Sequence, residues 1–311
     1  MDKTADGIVI ACGTDDGYAM QMLIMLQTLV RSQPEKIALT IYMIDGGILP
    51  QNKAKIDALL TRRDGVKYHW LAIENNRFHG MMENGWIKHL TQATLLRLLL
   101  PELLPDSVKR VLYLDSDVVI QGNLSPFASM DFENNFLIGV PDLNVPLLEY
   151  IAAKDPTIPA DKETFNAGII VMNLTRLRET GKIQRVFDRM REQPTWSDQE
   201  GLNAVFHGEW KRASFLYNLQ SNFMWLESAT DSRAKNEVRE YGYDRLWKDA
   251  VVFHFTTGIK PWGGRWKHPY RLRYEQLMRD SGWFSAPEWA AWKVKRYVQA
   301  VQDRMAFAQK K

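Results

Sequence analysis

Asp115-Ser116-Asp117 sits inside KRVLYLDSDVVIQG (109–122), where the apolar residues on either side read as buried core. Two like charges in that setting call for a metal ion, an internal basic partner, or exposure at a strand end. Residues i and i+2 of a strand project to the same side, so Asp115 and Asp117 can converge on one point. Their repulsion would raise a pKa unless a cation lay between them. A second apolar run, VVFHF (251–255), carries His254. Two carboxylates and an imidazole suit a divalent ion that prefers oxygen but tolerates nitrogen, Mn²⁺ ahead of Mg²⁺. Its other coordination positions would be open to phosphate oxygens. Taken singly, the features are weak: a D-x-D arises by chance about once in a chain this long, Asp is common where a strand yields to a turn, and one His after an apolar run is more often a core or capping residue.

More chemistry gathers at the ends of apolar runs. GTDDGY (13–18) places Asp15 and Asp16 before Gly17, and FLIGVPD (136–142) ends on Asp142. After His254 comes HFTTGIKPWGGRWKHPYR, in which Gly258 allows close backbone approach to a ligand and Lys260 offers a point charge to a phosphate. The bland alternative for this segment is a basic surface loop rich in turn residues.

These residues need a scaffold. Short β-branched runs alternate with helical patterns, which predicts an α/β fold: a Rossmann-like, mostly parallel sheet flanked by helices. Strands are expected at 8–13, 38–44, 66–73, 110–115, 136–142, 169–173 and 251–255, and helices at Tyr18–Arg31, Gln51–Arg62, Ala93–Leu100 and Leu174–Arg191. Such sheets bind ligands at the carboxyl ends of their strands. Residues 228–249 are polar and read as a surface excursion. With 311 residues and 45% hydrophobic content, the chain can bury a large core. A net charge of +3 gives no case for nucleic acid. The single Cys12 excludes an internal disulfide and fits a reducing compartment. With no apolar leader or spanning segment in the sequence, the expectation is a cytoplasmic protein, either free or peripheral at the inner face of a membrane.

The order of GTDDGYA, YLDSD, FNAGIIVMNL (165–174), SDQEGLN (197–203) and HFTTGIKPW resembles the retaining nucleotide-sugar glycosyltransferases of family 8, the group of bacterial lipopolysaccharide α-galactosyl- and α-glucosyltransferases and, more distantly, glycogenin. The resemblance spans about residues 7–285 and implies a GT-A fold. Carried over by position, it gives Asp115, Asp117 and His254 to Mn²⁺, and Asp15, Tyr18 and Ser116 to the nucleotide of a UDP-hexose. Arg97 in TLLRLLL would grip the donor. Asp142, Asn166, Asp198 and Gln199 would line the sugar, and Lys260 with Gly258 would hold the β-phosphate. Two positions depart from the family pattern: Thr257 stands where it has glycine, and Gly17 where it has asparagine.

The expected reaction moves galactose or glucose from UDP to a glycan or lipid-linked hydroxyl with retention of the α configuration, Lys260 stabilising the leaving phosphate. Gln199 is a poor nucleophile and Asp198 is the only carboxylate in its motif that could serve. Same-face attack is therefore favoured, with Gln199 steadying the sugar and Asp198 binding its hydroxyls. Asp198 also reads as a helix N-terminal acid behind a Ser197 cap. The domain is placed at 1–285 and a basic aromatic helical tail at 286–311. Lys293, Lys295, Arg296, Arg304, Lys310 and Lys311 there outnumber Glu288 and Asp303. Interleaved with Trp289, Trp292, Tyr297, Val298, Val301 and Met305, they suit either an anionic membrane surface or packing on the domain. A phosphoaspartyl hydrolase would need a later lysine and a second acidic pair in order, which are missing; a non-catalytic sugar-nucleotide or membrane-surface binding module is the remaining alternative.

Overall fold

The apolar run IVIACGT forms β1 (Ile8–Thr14), buried at all positions but one because it lies inside a sheet with neighbours on both edges. The computed structural model describes residues 7–73, 95–145, 148–223, 232–263 and 268–308. β2 (Leu39–Asp45) and β4 (Arg110–Leu114) flank β1, both parallel to it, and β3 (Val66–Ala72) is parallel to β2. β7 (Phe165–Asn173) runs antiparallel between β4 and β6 (Leu137–Pro141), and β8 (Trp210–Arg212) is parallel to β6. The order is β3-β2-β1-β4-β7-β6-β8, mostly parallel as the alternation of runs predicts.

A second sheet contains β5 (Val118–Ile120), β10 (Val252–His254) and β9 (Leu219–Gln220), in the order β5-β10-β9. In the sequence β5 merges with the run before it, and β8 and β9 are too short to leave a period. Helix α1 (Ala19–Ser32) binds this sheet at its far end. Thr28 Oγ1 accepts from Ile120 N at 3.1 Å, and Gln33 Oε1 from Leu124 N at 2.8 Å.

Some expectations are corrected. The helix expected over Leu174–Arg191 is two, Leu174–Thr180 and Lys182–Glu192, because Gly181 between them has φ +59°, a left-handed conformation that ends the first helix. The segment at 95–103 is a 3₁₀ turn (Leu96–Leu99) running into one short helical turn (Leu100–Leu103); residues 93–94 lie outside the described residues. The excursion expected at 228–249 is, from Arg233 on, a pair of helices, Arg233–Tyr241 and Tyr243–Asp249. Ala234, Val238 and Leu246 are buried there, few enough apolar anchors to leave the composition polar.

The chain divides into two compact units, Met1–His254 and Phe255–Lys311. In the second, the Phe255 ring lies 5.3–5.8 Å from those of Trp262, His268, Tyr270 and Tyr274. Helices Arg271–Asp280 and Ala286–Ala308 are joined through Glu275, which is 5% exposed. Lys293 Nζ lies 2.6 Å from Glu275 Oε2, Arg271 Nη1 2.9 Å from Oε1, and Arg296 Nη1 3.7 Å from Oε1. Burial alone would raise this carboxyl, but the Lys293 bond and the charges of Lys293, Arg296 and Arg271 hold it below its ordinary value.

A depressed acid stabilises the fold above its unfolded pKa of about 4.3 and loses that contribution as pH falls through the folded value. Acidification into that range should therefore release the 286–308 helix first. Glu275→Gln should do the same at pH 7, weakening its docking by about 2 kcal/mol. Tryptic cleavage after Lys293 and Arg296 should then accelerate roughly tenfold or more, with the melting of the first unit unchanged.

Candidate active site

Asp115 extends the β4–β7 ladder by one residue, its N–H donating to Gly168 O at 2.8 Å. The chain then leaves the large sheet, turns through Ser116 and Asp117, and enters β5 of the small one. The two aspartates therefore lie in a link between sheets, and not at i and i+2 of one strand. β10 pairs with β5 so that His254 stands opposite Val118. This register brings His254 Nε2 to 3.3 Å from Asp117 Oδ1 and 3.8 Å from Asp115 Oδ2. One ligand atom from each of the three residues lies within 4.8 Å of the other two.

That donor set fits a hard divalent cation, and Gly168 leaves room for two of the donors, Asp115 and His254. A Cβ at Gly168 would land on His254 Cε1, 2.5 Å from Asp115 Oδ2 and 3.0 Å from His254 Nε2. Opposite the imidazole, Arg97 acts as internal counter-ion. It is 5% exposed, its Nη2 lies 3.0 Å from Asp115 Oδ1 and its Nε 2.8 Å from Asp198 Oδ2, and Nη1 donates to Ala167 O. Tyr113 donates its hydroxyl to Asp115 Oδ1 at 2.9 Å and lies beneath the guanidinium, 4.7 Å from ring centroid to Cζ.

One guanidinium serves two carboxylates here, with unequal results. Burial opposes the charge on Arg97, but Asp115 and Asp198 outweigh it and raise its pKa further. Asp198 is 3% exposed, and burial pushes its carboxyl up to about 6 because the cation opposing that rise is shared with Asp115. Asp198 opens helix Asp198–Phe206, where Ser197 and Glu200 form a capping box, Glu200 Oε2 accepting from Ser197 N at 2.8 Å. The helix-terminal reading of Asp198 and its contact with the site thus coexist.

Beyond Gly168 lies a polar cluster. Gln199 Nε2 donates to Asp142 Oδ2 at 2.9 Å, and Gln199 Oε1 accepts from Ala167 N at 3.0 Å. Asn166 Nδ2 donates to Asp142 Oδ2 at 3.0 Å, and Asp142 Oδ1 accepts from the backbone of Asn144 at 2.6 Å and of Val145 at 2.9 Å. On the other side is a cleft of about 460 Å³ whose lining includes Gly13 and Thr14 at the end of β1, Asp15, Tyr18, Ser116 and Asp117. The two acids of GTDDGY have separate duties. Asp15 faces the cleft, whereas Asp16 Oδ1 accepts from Leu49 N at 2.9 Å and Asn52 Nδ2 at 2.7 Å. Tyr18 lines the same cleft and is 38% exposed.

Residues 9–265 match the family described as Glycosyl transferase family 8. The chain belongs to that family. It is 27% identical to General stress protein A of Bacillus subtilis, over 88% of this chain and 94% of that one. It is 21% identical to the lipopolysaccharide 1,3-galactosyltransferase of Salmonella typhimurium, over 90% and 80% of the two chains. The galactosyltransferase LgtC, solved with donor and acceptor sugar analogs, superposes with a TM-score of 0.73 at 24% identity, covering 92% of this chain and all of that one. The GT-A fold expected from the motifs is therefore the fold observed.

Lys260 and Gly258 of this family 8 chain lie in the second unit. Lys260 Nζ donates to Phe255 O and sits 5.8 Å from the Trp262 ring centroid; a Cβ at Gly258 would meet nothing within 4 Å. Sequence reasoning missed Tyr113, Gly168, Asn218 and Gln220. The last two lie in YNLQSN, where polar residues two apart, one before and one within the two-residue strand Leu219–Gln220, are both fully buried. That alternation was the available signal. It resembles an ordinary surface edge.

Gly168→Ala should fold but lose divalent-ion affinity by tenfold or more, as read by calorimetry. Asp198 makes a different prediction. A carboxyl raised when folded gives relative stability below its unfolded pKa of about 4 and loses it as pH rises through about 6. Thermal melts from pH 4.5 to 8 should therefore show Asp198→Asn gaining on the parent as pH rises, while its transfer activity falls at least tenfold.

Proposed function

We propose that this glycosyltransferase is a Mn²⁺-dependent retaining hexosyltransferase that moves galactose or glucose from a UDP-sugar to a hydroxyl of a glycan or lipid-linked acceptor. The observation that carries this reading is the position of Gly168. It adjoins both the Asp115–Asp117–His254 cluster, at the cleft lined by Asp15 and Tyr18, and the polar cluster of Asp142, Asn166 and Gln199, to which its N–H donates through Asn166 Oδ1. A nucleotide in the first space and a hexose in the second would have the diphosphate at the carboxylates.

Asp15 would bind the nucleoside, Tyr18 would stack on its base and Ser116 would lie beside the ribose. A divalent ion held by Asp115, Asp117 and His254 would offset charge developing on the leaving diphosphate. Lys260 and Gly258 keep the phosphate role that the motif resemblance gives them. Asp142 and Asn166 would accept and donate hydrogen bonds to the sugar's hydroxyls, with Arg97 and Asp198 acting as a pair.

Two facts support same-face attack over a covalent intermediate. Gln199 has both ends of its carboxamide engaged, fixing it as a positioning group. Asp198 is buried with Oδ2 2.8 Å from Arg97 Nε, and Glu200 is taken up by the capping box, so neither carboxylate of the motif stands as an exposed nucleophile.

The helix Ala286–Ala308 supports a peripheral membrane site for a lipid-linked acceptor. Val294, Tyr297, Val298, Val301 and Met305 recur at helical spacing and are all exposed, with Lys295 beside them. No helix among the described residues is long and apolar enough to cross a membrane.

The deciding experiment screens UDP-hexoses for Mn²⁺-dependent transfer or hydrolysis. Turnover with UDP-galactose or UDP-glucose is expected, and Asp117→Asn should abolish Mn²⁺-dependent UDP binding while leaving the melting temperature within a few degrees. Binding of UDP without turnover of any UDP-hexose would favour a non-catalytic module. Deleting 286–311 should reduce binding to anionic vesicles, and unchanged binding would exclude the anchor.

A further inference from the structure

His254 can ligate through Nε2 only if its proton stays on Nδ1, and a buried chain of amides fixes this. His254 Nδ1 lies 3.0 Å from Asn218 Oδ1, and Asn218 Nδ2 donates to Asn166 Oδ1 at 3.0 Å. Asn166 Oδ1 also accepts from Gly168 N at 3.1 Å, and Asn166 Nδ2 donates to Asp142 Oδ2 at 3.0 Å. His254 is 3% exposed, Asn218 0%, Asn166 6% and Asp142 2%, so water cannot readily substitute along the chain.

The polarity of this chain follows from its ends. A carboxylate only accepts and a backbone N–H only donates. Asp142 therefore draws the amide nitrogen of Asn166 toward itself, and Gly168 N holds the Asn166 oxygen on the other side. That oxygen already faces one donor, and Asn218 can approach it only with its own nitrogen. The Asn218 oxygen is then turned to His254, where it accepts from Nδ1–H and leaves the Nε2 lone pair facing Asp115 and Asp117.

We propose that Asn218 is a positioning residue for the metal site, setting the tautomer and ring orientation of His254 through a relay that begins at Asp142. The inference rests on the assignment of Asp115, Asp117 and His254 as a divalent-ion site. It adds that the sugar-side cluster and the metal cluster share one hydrogen-bonded chain. Partners of this kind typically change metal affinity by about 10–100-fold when removed.

The test measures Mn²⁺ binding directly, by the electron paramagnetic resonance signal of the free ion, in the parent, Asn218→Leu and Asn218→Asp, with circular dichroism confirming each fold. Asn218→Leu removes the acceptor and should weaken binding about tenfold or more. Asn218→Asp keeps an oxygen for Nδ1–H but loses the donor to Asn166, so its Mn²⁺ affinity should stay within about tenfold of the parent's. Its KM for the UDP-hexose should rise, because Asn166 has lost its partner.

A purely structural role would make Asp at least as damaging as Leu, since it buries an extra charge. Loss of binding in Asn218→Asp, or parental binding in Asn218→Leu, would overturn the proposal. If Asn218→Leu does not fold, the Asp variant alone decides. Failure of the parent itself to bind Mn²⁺ would instead remove the metal-site assignment on which the relay depends.

Discussion

The site depends on a short link between two sheets that cannot lengthen or drift. β4 ends in the large sheet at Leu114, β5 begins in the small one at Val118, and the chain between them is Asp115-Ser116-Asp117. Both anchors are hydrogen-bonded: Asp115 N to Gly168 O on β7, and β5 to β10 through the pairing of Val118 with His254. A carboxylate in such a link cannot retreat into solvent without breaking a ladder. Its charge must be met in place, by Arg97 at 3.0 Å from Asp115 and by the proposed divalent ion held with His254, whose Nε2 lies 3.3 Å from Asp117.

That constraint explains why the surroundings are so heavily hydrogen-bonded. Burying several charges and amides together is costly unless each has a partner. Arg97 answers Asp115 and Asp198, Asn166 and Gln199 answer Asp142, and Asn218 answers both Asn166 and His254. Gly168 contributes by lacking a side chain. A Cβ there would fall on both side chains, so its absence lets histidine and aspartate share the space above its backbone.

How much of this was legible in the sequence follows from the range of each interaction. β1 and β2 were readable because each reports itself as an apolar run within a few residues, and β3, VKYHWLA, by its alternation of half-buried and exposed positions. Asp115, Asp117 and His254 could be nominated as residues of the right type at the ends of such runs. Their convergence depends on the register of His254 against Val118, a pairing between distant segments that no local pattern records. β5 was hidden for the opposite reason: a strand that changes sheets after two polar residues reads as one strand interrupted. The Gly181 break was missed because one glycine in a helical pattern is usually tolerated, and only its left-handed φ separates the two helices.

The residues that escaped notice share a physical character. Asn218 and Gln220 are neutral amides, fully buried, and they act on backbone and on other side chains. Gln220 Oε1 accepts from Leu143 N and its Nε2 donates to Pro141 O, both at 2.8 Å, tying β9 of the small sheet to the end of β6 in the large one. Asn218, two residues earlier, ties the same strand end to Asn166 on β7. β9 is therefore a strut between the sheet that carries His254 and the strands that carry Asp142 and Asn166. Charged residues advertise chemistry in a sequence because burying them needs explanation. An amide that only spans the gap between two sheets gives no such signal, yet Asn218 is the side chain that meets His254 Nδ1.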